Sequence, residues 1–111
     1  MNDKLAFRIF REGDRDEFEQ MALSLYTEDP STEGMSPEKI HRTFNELLHH
    51  PEKGTIVLFE MGKAIVGYSI LIHFWSNEYG GNIEVIDELF VKPESRGRGV
   101  ASRFIGHLCT E

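Results

Sequence analysis

The sequence of 111 residues has a single cysteine, Cys109, which excludes a disulfide within the chain. It lacks the long apolar run of a membrane span and the basic-then-apolar N-terminus of a secreted protein. A cytoplasmic location without membrane attachment is therefore expected. The five histidines show no metal-ligand spacing with cysteine, so no metal site is predicted.

Positive charge is absent from two stretches of the chain. Residues 26–38 contain four acids and residues 76–90 contain four more, and neither stretch has a lysine or arginine. The sign of the charge reverses in residues 91–103, which contain four basic residues and one acid. The net charge of −7 argues against nucleic acid as a partner. A basic pocket beside acidic walls suits an anionic cofactor and a cationic acceptor, although acids alone equally suit a solvated surface.

Hydrophobic periodicity predicts one α/β domain over residues 1–111, with elements in the order β-α-α-β-β-β-α. The strands are predicted at residues 5–9, 55–60, 64–75 and 83–91. The capping-box-like Asp14-x-x-Glu17 predicts the start of the first helix, and Pro37 predicts the first turn of the second. The glycines Gly67 and Gly106 are interpreted as close-packing positions. The buried helix stripes are predicted to be Phe18, Met21, Ala22 and Leu25; Ile40, Phe44, Leu47 and Leu48; and Val100, Ala101, Phe104, Ile105 and Leu108.

The segment Arg96-Gly97-Arg98-Gly99-Val100-Ala101 follows the fourth strand and a turn at Pro93, and it opens the third helix. Glycines let a backbone approach a ligand closely, and the first amides of a helix have no partner inside it. Together with the helix dipole and two arginines, these amides form a site suited to a pyrophosphate. The segment therefore predicts a nucleotide-bearing cofactor.

Two other phosphate loops fit this segment poorly. A P-loop ends in Gly-Lys-Ser/Thr, which the chain lacks. A dinucleotide fingerprint needs Gly or Ala where Ser102 stands and a parallel βαβ unit, whereas these strands are predicted to be antiparallel. The pattern Arg/Gln-x-x-Gly-x-Gly/Ala fits at every fixed position. With this pattern and the Val91-x-Pro93-Glu94 turn before it, the chain resembles the GNAT superfamily of N-acetyltransferases.

The resemblance implies a GNAT acyl-CoA N-acyltransferase fold with a mostly antiparallel sheet, and acetyl-CoA as the co-substrate. It implies that the fourth strand binds pantetheine and polarises the acetyl carbonyl through backbone groups of Leu89, Phe90 and Val91. The pyrophosphate would lie on the loop and helix start, at Arg96, Gly97, Arg98, Gly99, Val100 and Ala101. The family commonly has a β-bulge in the fourth strand, which would re-aim the side chains there.

Two adjacent acids, Asp87 and Glu88, are the candidate catalytic residues. A bound amine is mostly protonated near neutral pH, so a base or a water relay must remove a proton. In plain alternation Asp87 lies on a strand face with apolar Val85, Leu89 and Val91. A lone carboxylate is costly on such a face, which makes Asp87 a better site candidate than a scattered surface acid.

The stretch Asp87-Glu88-Leu89-Phe90-Val91 resembles the diamine (spermidine/spermine) acetyltransferase branch, as do Ile65-Val66-Gly67-Tyr68 and Phe74-Trp75. By this resemblance Asp87 and Glu88 hold or deprotonate the substrate amine. Their order is reversed relative to that branch, so base and binder are not distinguished. Glu28 and Asp29 lie where the family forms its acceptor wall and would pair with distal amines of a polyamine-like acceptor. An exposed polar loop without that role is an equal alternative.

The resemblance covers the first two-thirds of the family fold, which continues with a fifth strand, a fourth helix and a closing hairpin. The family's usual thiolate acid is a tyrosine of that later helix, so no general acid is assigned. An open fourth-strand edge invites pairing with a second chain, so a homodimer is expected. The hypothesis is an acetyl-CoA-dependent transferase acting on a primary amine of a small cationic acceptor. The alternatives are a CoA-binding but inactive module and a protein or peptide lysine acetyltransferase that needs a partner chain.

Overall fold

The computed structural model describes residues 4–30 and 33–109. Its elements are β1 (Leu5–Ile9), α1 (Arg15–Glu28), α2 (Pro37–His49), β2 (Gly54–Met61), β3 (Ala64–Ser76), β4 (Gly81–Val91) and α3 (Val100–Cys109). The strands form one antiparallel sheet in the order β1-β2-β3-β4, which confirms the predicted element order and sheet type. Ser31 and Thr32 of the predicted acidic loop lie outside the described residues.

Helices cover both faces of the sheet. Along β2, Ile56 and Leu58 join one apolar cluster while Val57 and Phe59 join the other, as side-chain alternation in a strand requires. The first cluster lies under α1 and α2 and is rich in aromatic rings, with Phe10, Phe18, Phe44, Tyr68 and Phe90. The second lies under α3, which contributes Val100 and Phe104. None of the helices described is long and apolar enough to span a membrane.

The buried stripes of the helices are narrower than the sequence predicts. Ile40 and Phe44 are buried and Leu47 packs against the same cluster, as predicted. Leu48 on α2 is 37% exposed and Ile105 on α3 is 43% exposed, so their prediction as buried residues is wrong. Successive helical residues are turned by about 100°, and each of these two follows directly after a residue that already faces the core.

Asp14 ends a 3₁₀ turn and is the N-cap residue of α1, which confirms the predicted start of the first helix, although its side chain makes no capping hydrogen bond to that helix. Its carboxylate accepts two hydrogen bonds of 2.8 Å from the Arg8 guanidinium on β1, and a third of 2.8 Å from the Arg11 amide. The hydrogen bonds from Arg8 hold the pKa of the Asp14 carboxyl below its usual value. The acid therefore ties the turn to β1.

Two glycines predicted as close-packing positions differ in role. A Cβ on Gly67 in β3 would lie 2.3 Å from the Phe90 carbonyl oxygen on β4, so only glycine fits at that approach. A Cβ on Gly106 would meet no atom within 4 Å, so its interpretation as a packing position is wrong. The close approach at Gly67 fixes β3 against the part of β4 where the candidate site residues lie.

The pairing of β3 with β4 slips by one residue in the middle of the hairpin. Ile70 lies opposite Glu88 and the next β3 residue, Leu71, lies opposite Ile86, so Asp87 is the extra residue of a β-bulge. The bulge implied by the family resemblance is confirmed.

The bulge shifts the side-chain alternation of β4 by one residue, so the residues before it and after it do not follow one continuous period-two pattern. Leu89 and Val91 pack with the cluster under α3. Val85 lies opposite Ile72, which packs with the cluster under α1 and α2. The expectation that Asp87 shares one face with Val85, Leu89 and Val91 is therefore wrong, because one inserted residue shifts the period-two pattern.

Candidate functional site

The loop between β4 and α3 turns at two glycines in the left-handed region, Gly97 (φ 82°) and Gly99 (φ 75°). A Cβ on either glycine would meet no atom within 4 Å, so open space lies over the backbone at both positions. The loop borders a cavity of about 250 Å³ lined by Val91, Ser95, Arg96, Gly97, Gly99, Val100, Ala101 and Ser102. The predicted cofactor loop thus presents bare backbone to a small cavity.

The first backbone amides of α3 adjoin this loop, and they have no hydrogen-bond acceptor within the helix. Arg103 N–H donates to the Gly99 carbonyl at 2.9 Å as the first bond of the helical ladder. The preceding amides, those of Val100, Ala101 and Ser102, have no helical acceptor and lie at the positive end of the helix dipole. Arg98 is exposed and forms no hydrogen bond or ion pair within the described part of the chain. These residues fit an anion such as a pyrophosphate.

The outer edge of β4 is the other predicted cofactor surface. The Lys92 amide donates to Val66 on β3 at 2.8 Å, so the backbone groups of Val91 point away from β3. Alternation points those of Leu89 the same way and those of Phe90 toward β3. β4 is at the end of the strand order, so this outer side has no neighbouring strand in the described sheet. Leu89 and Val91 thus present backbone groups to a ligand, while the backbone of Phe90 is used by the sheet.

Arg96 and Glu28, both predicted site residues, are paired with each other. A terminal nitrogen of Arg96 donates to the Glu28 carboxylate at 2.7 Å, which joins the cofactor loop to the end of α1. Asp29, the other acid predicted for the acceptor wall, is exposed, and its side chain forms no hydrogen bond or ion pair in residues 4–30 and 33–109. The structure thus places Glu28 against the loop of α3.

The bulge separates the two candidate catalytic acids. Glu88 is half-buried, and its carboxylate accepts hydrogen bonds from the Tyr26 hydroxyl at 2.6 Å and the Tyr68 hydroxyl at 2.7 Å. Its backbone carbonyl accepts a third from the Ser69 hydroxyl at 2.8 Å. Asp87 is exposed and its carboxylate has no partner among the described residues. One acid is therefore held rigidly and the other is free.

The Glu88 carboxylate changes the acidity of both tyrosines. Its hydrogen bond and charge, together with burial, raise the pKa of Tyr26 to about 12. Burial, followed by the Glu88 charge, raises the pKa of Tyr68 above its ordinary value. The charges of Asp87 and Asp29 act on Tyr26 in the same direction. Both hydroxyls therefore stay protonated near neutral pH and remain donors to Glu88.

A groove of about 770 Å³ runs between α2 and the β3–β4 hairpin, and both acids line it. Its apolar residues are Leu47, Ile70 and Ile72; its polar and charged residues are Lys39, Arg42, Thr43, Asn45, Glu46, Asp87 and Glu88. The Lys39 ammonium is bound to the carbonyls of Glu33 and Gly34, at 3.2 and 3.1 Å. Arg42 makes no hydrogen bond or ion pair to any described residue. The groove therefore has acids on the strand side and one unpaired guanidinium on the helix side.

Sequence reasoning missed the two tyrosines and the α2 wall of the groove. Tyr26 and Tyr68 are separated from Glu88 by 62 and 20 positions, so neither pair lies within one element. Tyr68 could have been found from the strand register, because it lies two positions along β3 from Ile70, the residue opposite Glu88, and therefore on the same face of the sheet. Nothing in the sequence places Tyr26 on the same carboxylate.

The acetyltransferase (GNAT) family model matches residues 15–111. A possible acetyltransferase from Clostridium difficile 630 superposes with a TM-score of 0.84 at 19% identity, over 96% of this chain and 69% of that one. An integron cassette protein from the mobile metagenome of Cole Harbour Salt Marsh gives 0.80 at 30% identity, over 94% and 69%. An acetyltransferase of Clostridium acetobutylicum, solved with acetyl-CoA, gives 0.74 at 17%, over 96% and 72%. No curated protein matches the chain.

The fold is that of an acyl-CoA-dependent transferase. The chain belongs to the acetyltransferase (GNAT) family. It is thus an acetyl-CoA-dependent N-acetyltransferase, with acetyl-CoA as its co-substrate.

The open space over Gly99 leads to a prediction for cofactor binding. In Gly99→Val, the added side chain fills that space, and a residue with a Cβ must adopt the left-handed backbone conformation of Gly99. We expect CoA affinity to fall by about 1.5–3 kcal/mol, the value of lost hydrogen bonds to a charged group. Stability should fall by about 1–2 kcal/mol because of the positive φ. Calorimetric titration with CoA and thermal unfolding measure the two effects.

Gly106→Val is the matched control, because it adds the same side chain to open space in α3, the helix that follows Gly99, at a residue without a positive φ. Its CoA affinity should equal that of the parent chain. Equal affinity in a folded Gly99→Val variant would contradict the placement of the pyrophosphate.

The Glu88 network leads to a prediction for tyrosine ionisation. Glu88→Gln removes the negative charge that raises both tyrosine pKa values, so phenolate absorbance should develop at lower pH than in the parent chain. The folded-state pKa of Tyr26, about 12, exceeds the unfolded value of about 10. The stability linked to Tyr26 is therefore complete below pH 10 and is lost as the pH rises through 12. The charge of Asp87 acts more weakly on both tyrosines, so Asp87→Asn should shift the tyrosine titration less than Glu88→Gln does. Equal shifts in the two variants would contradict a dominant role for Glu88.

Proposed function

We propose that the chain acetylates a primary amine of a small cationic acceptor, which binds in the groove between α2 and the β3–β4 hairpin. The observation that carries this proposal is the pair of carboxylates, Asp87 and Glu88, in that groove beside the free edge of β4. Asp29 adds a third negative charge near the Tyr26 hydroxyl. An acceptor that arrives as an ammonium ion is attracted to such a cluster.

The two acids are suited to different tasks. The Glu88 carboxylate is fixed by two hydroxyl donors, so it offers a stationary negative charge that can hold and orient an ammonium group. The Asp87 carboxylate has no hydrogen-bond or ion-pair partner in the described parts of the chain, so its lone pairs are available to take a proton from the amine directly or through a water molecule. We assign Glu88 as binder and Asp87 as base.

The cofactor residues predicted from the sequence supply the second half of the proposal. Acetyl-CoA brings the acetyl group as a reactive thioester. The amides of residues 97–102, with Arg98, would hold its pyrophosphate, and the outward backbone of Leu89 and Val91 would hold its pantetheine arm. That arm would lie along the outer edge of β4, next to the bulge that carries Asp87.

A second acceptor class is favoured by the unpaired Arg42 on the α2 side of the groove. An acceptor with both an amine and a carboxylate or phosphate could place its anion on Arg42 and its ammonium on the acids. The two classes differ in their need for Arg42, which a purely cationic acceptor would find repulsive.

Acceptor charge gives the test of the proposed function. Amines with a second cation should have lower KM values than matched neutral monoamines, and their KM should rise with salt because the attracting charges are partly exposed. The measurement is initial rates over a series of diamines, monoamines, amino acids and lysine peptides, with parent chain and Arg42→Gln. For dicationic amines Arg42→Gln should leave KM unchanged or lower it. If amino acids are preferred and lose that preference in Arg42→Gln, the acceptor is zwitterionic and the cationic class is wrong.

The assignment of roles to the acids gives a second prediction. Asp87→Asn should lower kcat by about 10²–10⁴, the usual loss on removing a general base, with little change in amine KM. Glu88→Gln should chiefly raise amine KM, because it removes a fixed charge and keeps a hydrogen-bond acceptor for the tyrosines. CoA affinity serves as the control and should be unchanged in both variants. A larger kcat loss in Glu88→Gln than in Asp87→Asn would reverse the two roles.

A further inference from the structure

Arg96 makes three contacts through its guanidinium group. Its Nε donates to the Val91 carbonyl at 2.7 Å, and a terminal nitrogen donates to Glu28 at 2.7 Å. The guanidinium carbon lies 5.5 Å from the centre of the Phe90 ring. The side chain thus folds back from the cofactor loop onto the end of β4 and the end of α1.

The bond to Val91 changes what the edge of β4 offers. The Val91 carbonyl points outward, on the side where β4 has no neighbouring strand among the described residues. Because Arg96 occupies that carbonyl, a ligand along the edge can use the Val91 amide and the backbone of Leu89, with the Val91 carbonyl already satisfied. Arg96 thereby sets where strand-like pairing along this edge ends.

The charge of Arg96 is already matched by Glu28, whereas that of Arg98 is not. Arg98 is exposed in the same loop and forms no pair within residues 4–30 and 33–109. An anion approaching α3 therefore meets one neutralised arginine and one free arginine. Only the free one adds a full positive charge to the helix amides.

We propose that Arg96, held by Glu28, is a positioning residue that shapes the β4 edge for the pantetheine arm, and that Arg98 supplies the charge for the pyrophosphate. Glu28 acts through Arg96 on the cofactor side of the enzyme. This inference rests on the cofactor placement of the proposed function. It separates two arginines that the loop pattern presents as equivalent.

Two ligands distinguish the roles, because CoA contains the pyrophosphate and pantetheine does not. Arg98→Gln should weaken CoA binding about two- to fivefold, as for an exposed charge contact, and leave pantetheine binding unchanged. Arg96→Lys and Glu28→Gln should weaken both ligands by a similar factor. Lysine keeps the charge of Arg96 but not the planar fork that bonds Val91 and Glu28 at once. Calorimetry measures CoA and NMR titration measures the weaker pantetheine.

A double-mutant cycle and kinetics complete the test. The losses of Glu28→Gln and Arg96→Gln should be non-additive, since both break one contact. Amine KM should be unchanged in Glu28→Gln, whereas a direct contact with the acceptor would raise it. The inference is overturned if Arg96→Lys binds both ligands like the parent, if Arg96→Gln loses CoA alone, or if Glu28→Gln changes amine KM alone. If Gly99→Val and Arg98→Gln also bind CoA normally, the cofactor placement itself fails.

Discussion

The arrangement of this site depends on one inserted residue in β4. Without Asp87 as an extra residue, the pairing of β3 with β4 would keep a single register, and the residue before Glu88 would lie opposite Leu71 and face the cluster under α3. The insertion places a held carboxylate and a free carboxylate side by side at one point of the sheet. Two contacts with β3 hold the bulge in place: the Ser69 hydroxyl donates a hydrogen bond to the Glu88 carbonyl, and Gly67 allows a close approach to Phe90. A local irregularity is thus stabilised by well-packed elements around it.

In the proposed function, the same strand serves the two substrates on different sides. Its side chains at the bulge face the groove under α2, and its outward backbone near Val91 faces the cofactor loop. An amine in the groove and a thioester along the edge would therefore meet at the bulge. Positioning of this kind needs rigid neighbours, and the Tyr26–Glu88 and Arg96–Glu28 contacts both join α1 to this part of the sheet. The C-terminal half of α1 is thus a common support for the acceptor and cofactor sides.

The sequence predicts the elements of this fold closely, because periodicity and glycine placement are local properties. The four strands, the three helices and the glycine-rich loop at Gly97 and Gly99 follow from patterns within single segments. The face occupied by Asp87 could not be deduced that way, because a bulge is set by pairing with β3 and alternation alone assigns the wrong face. The contacts of Tyr26 with Glu88 and of Arg96 with Glu28 were equally out of reach, since each joins residues more than 60 positions apart. Local chemistry thus indicates which residues matter, and long-range register decides what each one does.

The outer edge of β4 has two halves of different chemistry. Near Val91 it lies beside the acids, Arg96 and the cofactor loop. Toward Gly81, its distal half belongs to a hairpin that extends past β2, whose pairing with β3 ends at Ile72. The hairpin there exposes large apolar side chains: Phe74 at 46% and Trp75 at 64% on β3, and Val85 at 42% and Ile86 at 39% on β4. Self-association through this edge stays a prediction from the sequence. Apolar contact stabilises association and desolvating unpaired charges opposes it, so a second chain would be favoured on the distal half. Such a contact would leave the half near Val91 free for the cofactor arm, and the two uses of the edge would not exclude each other.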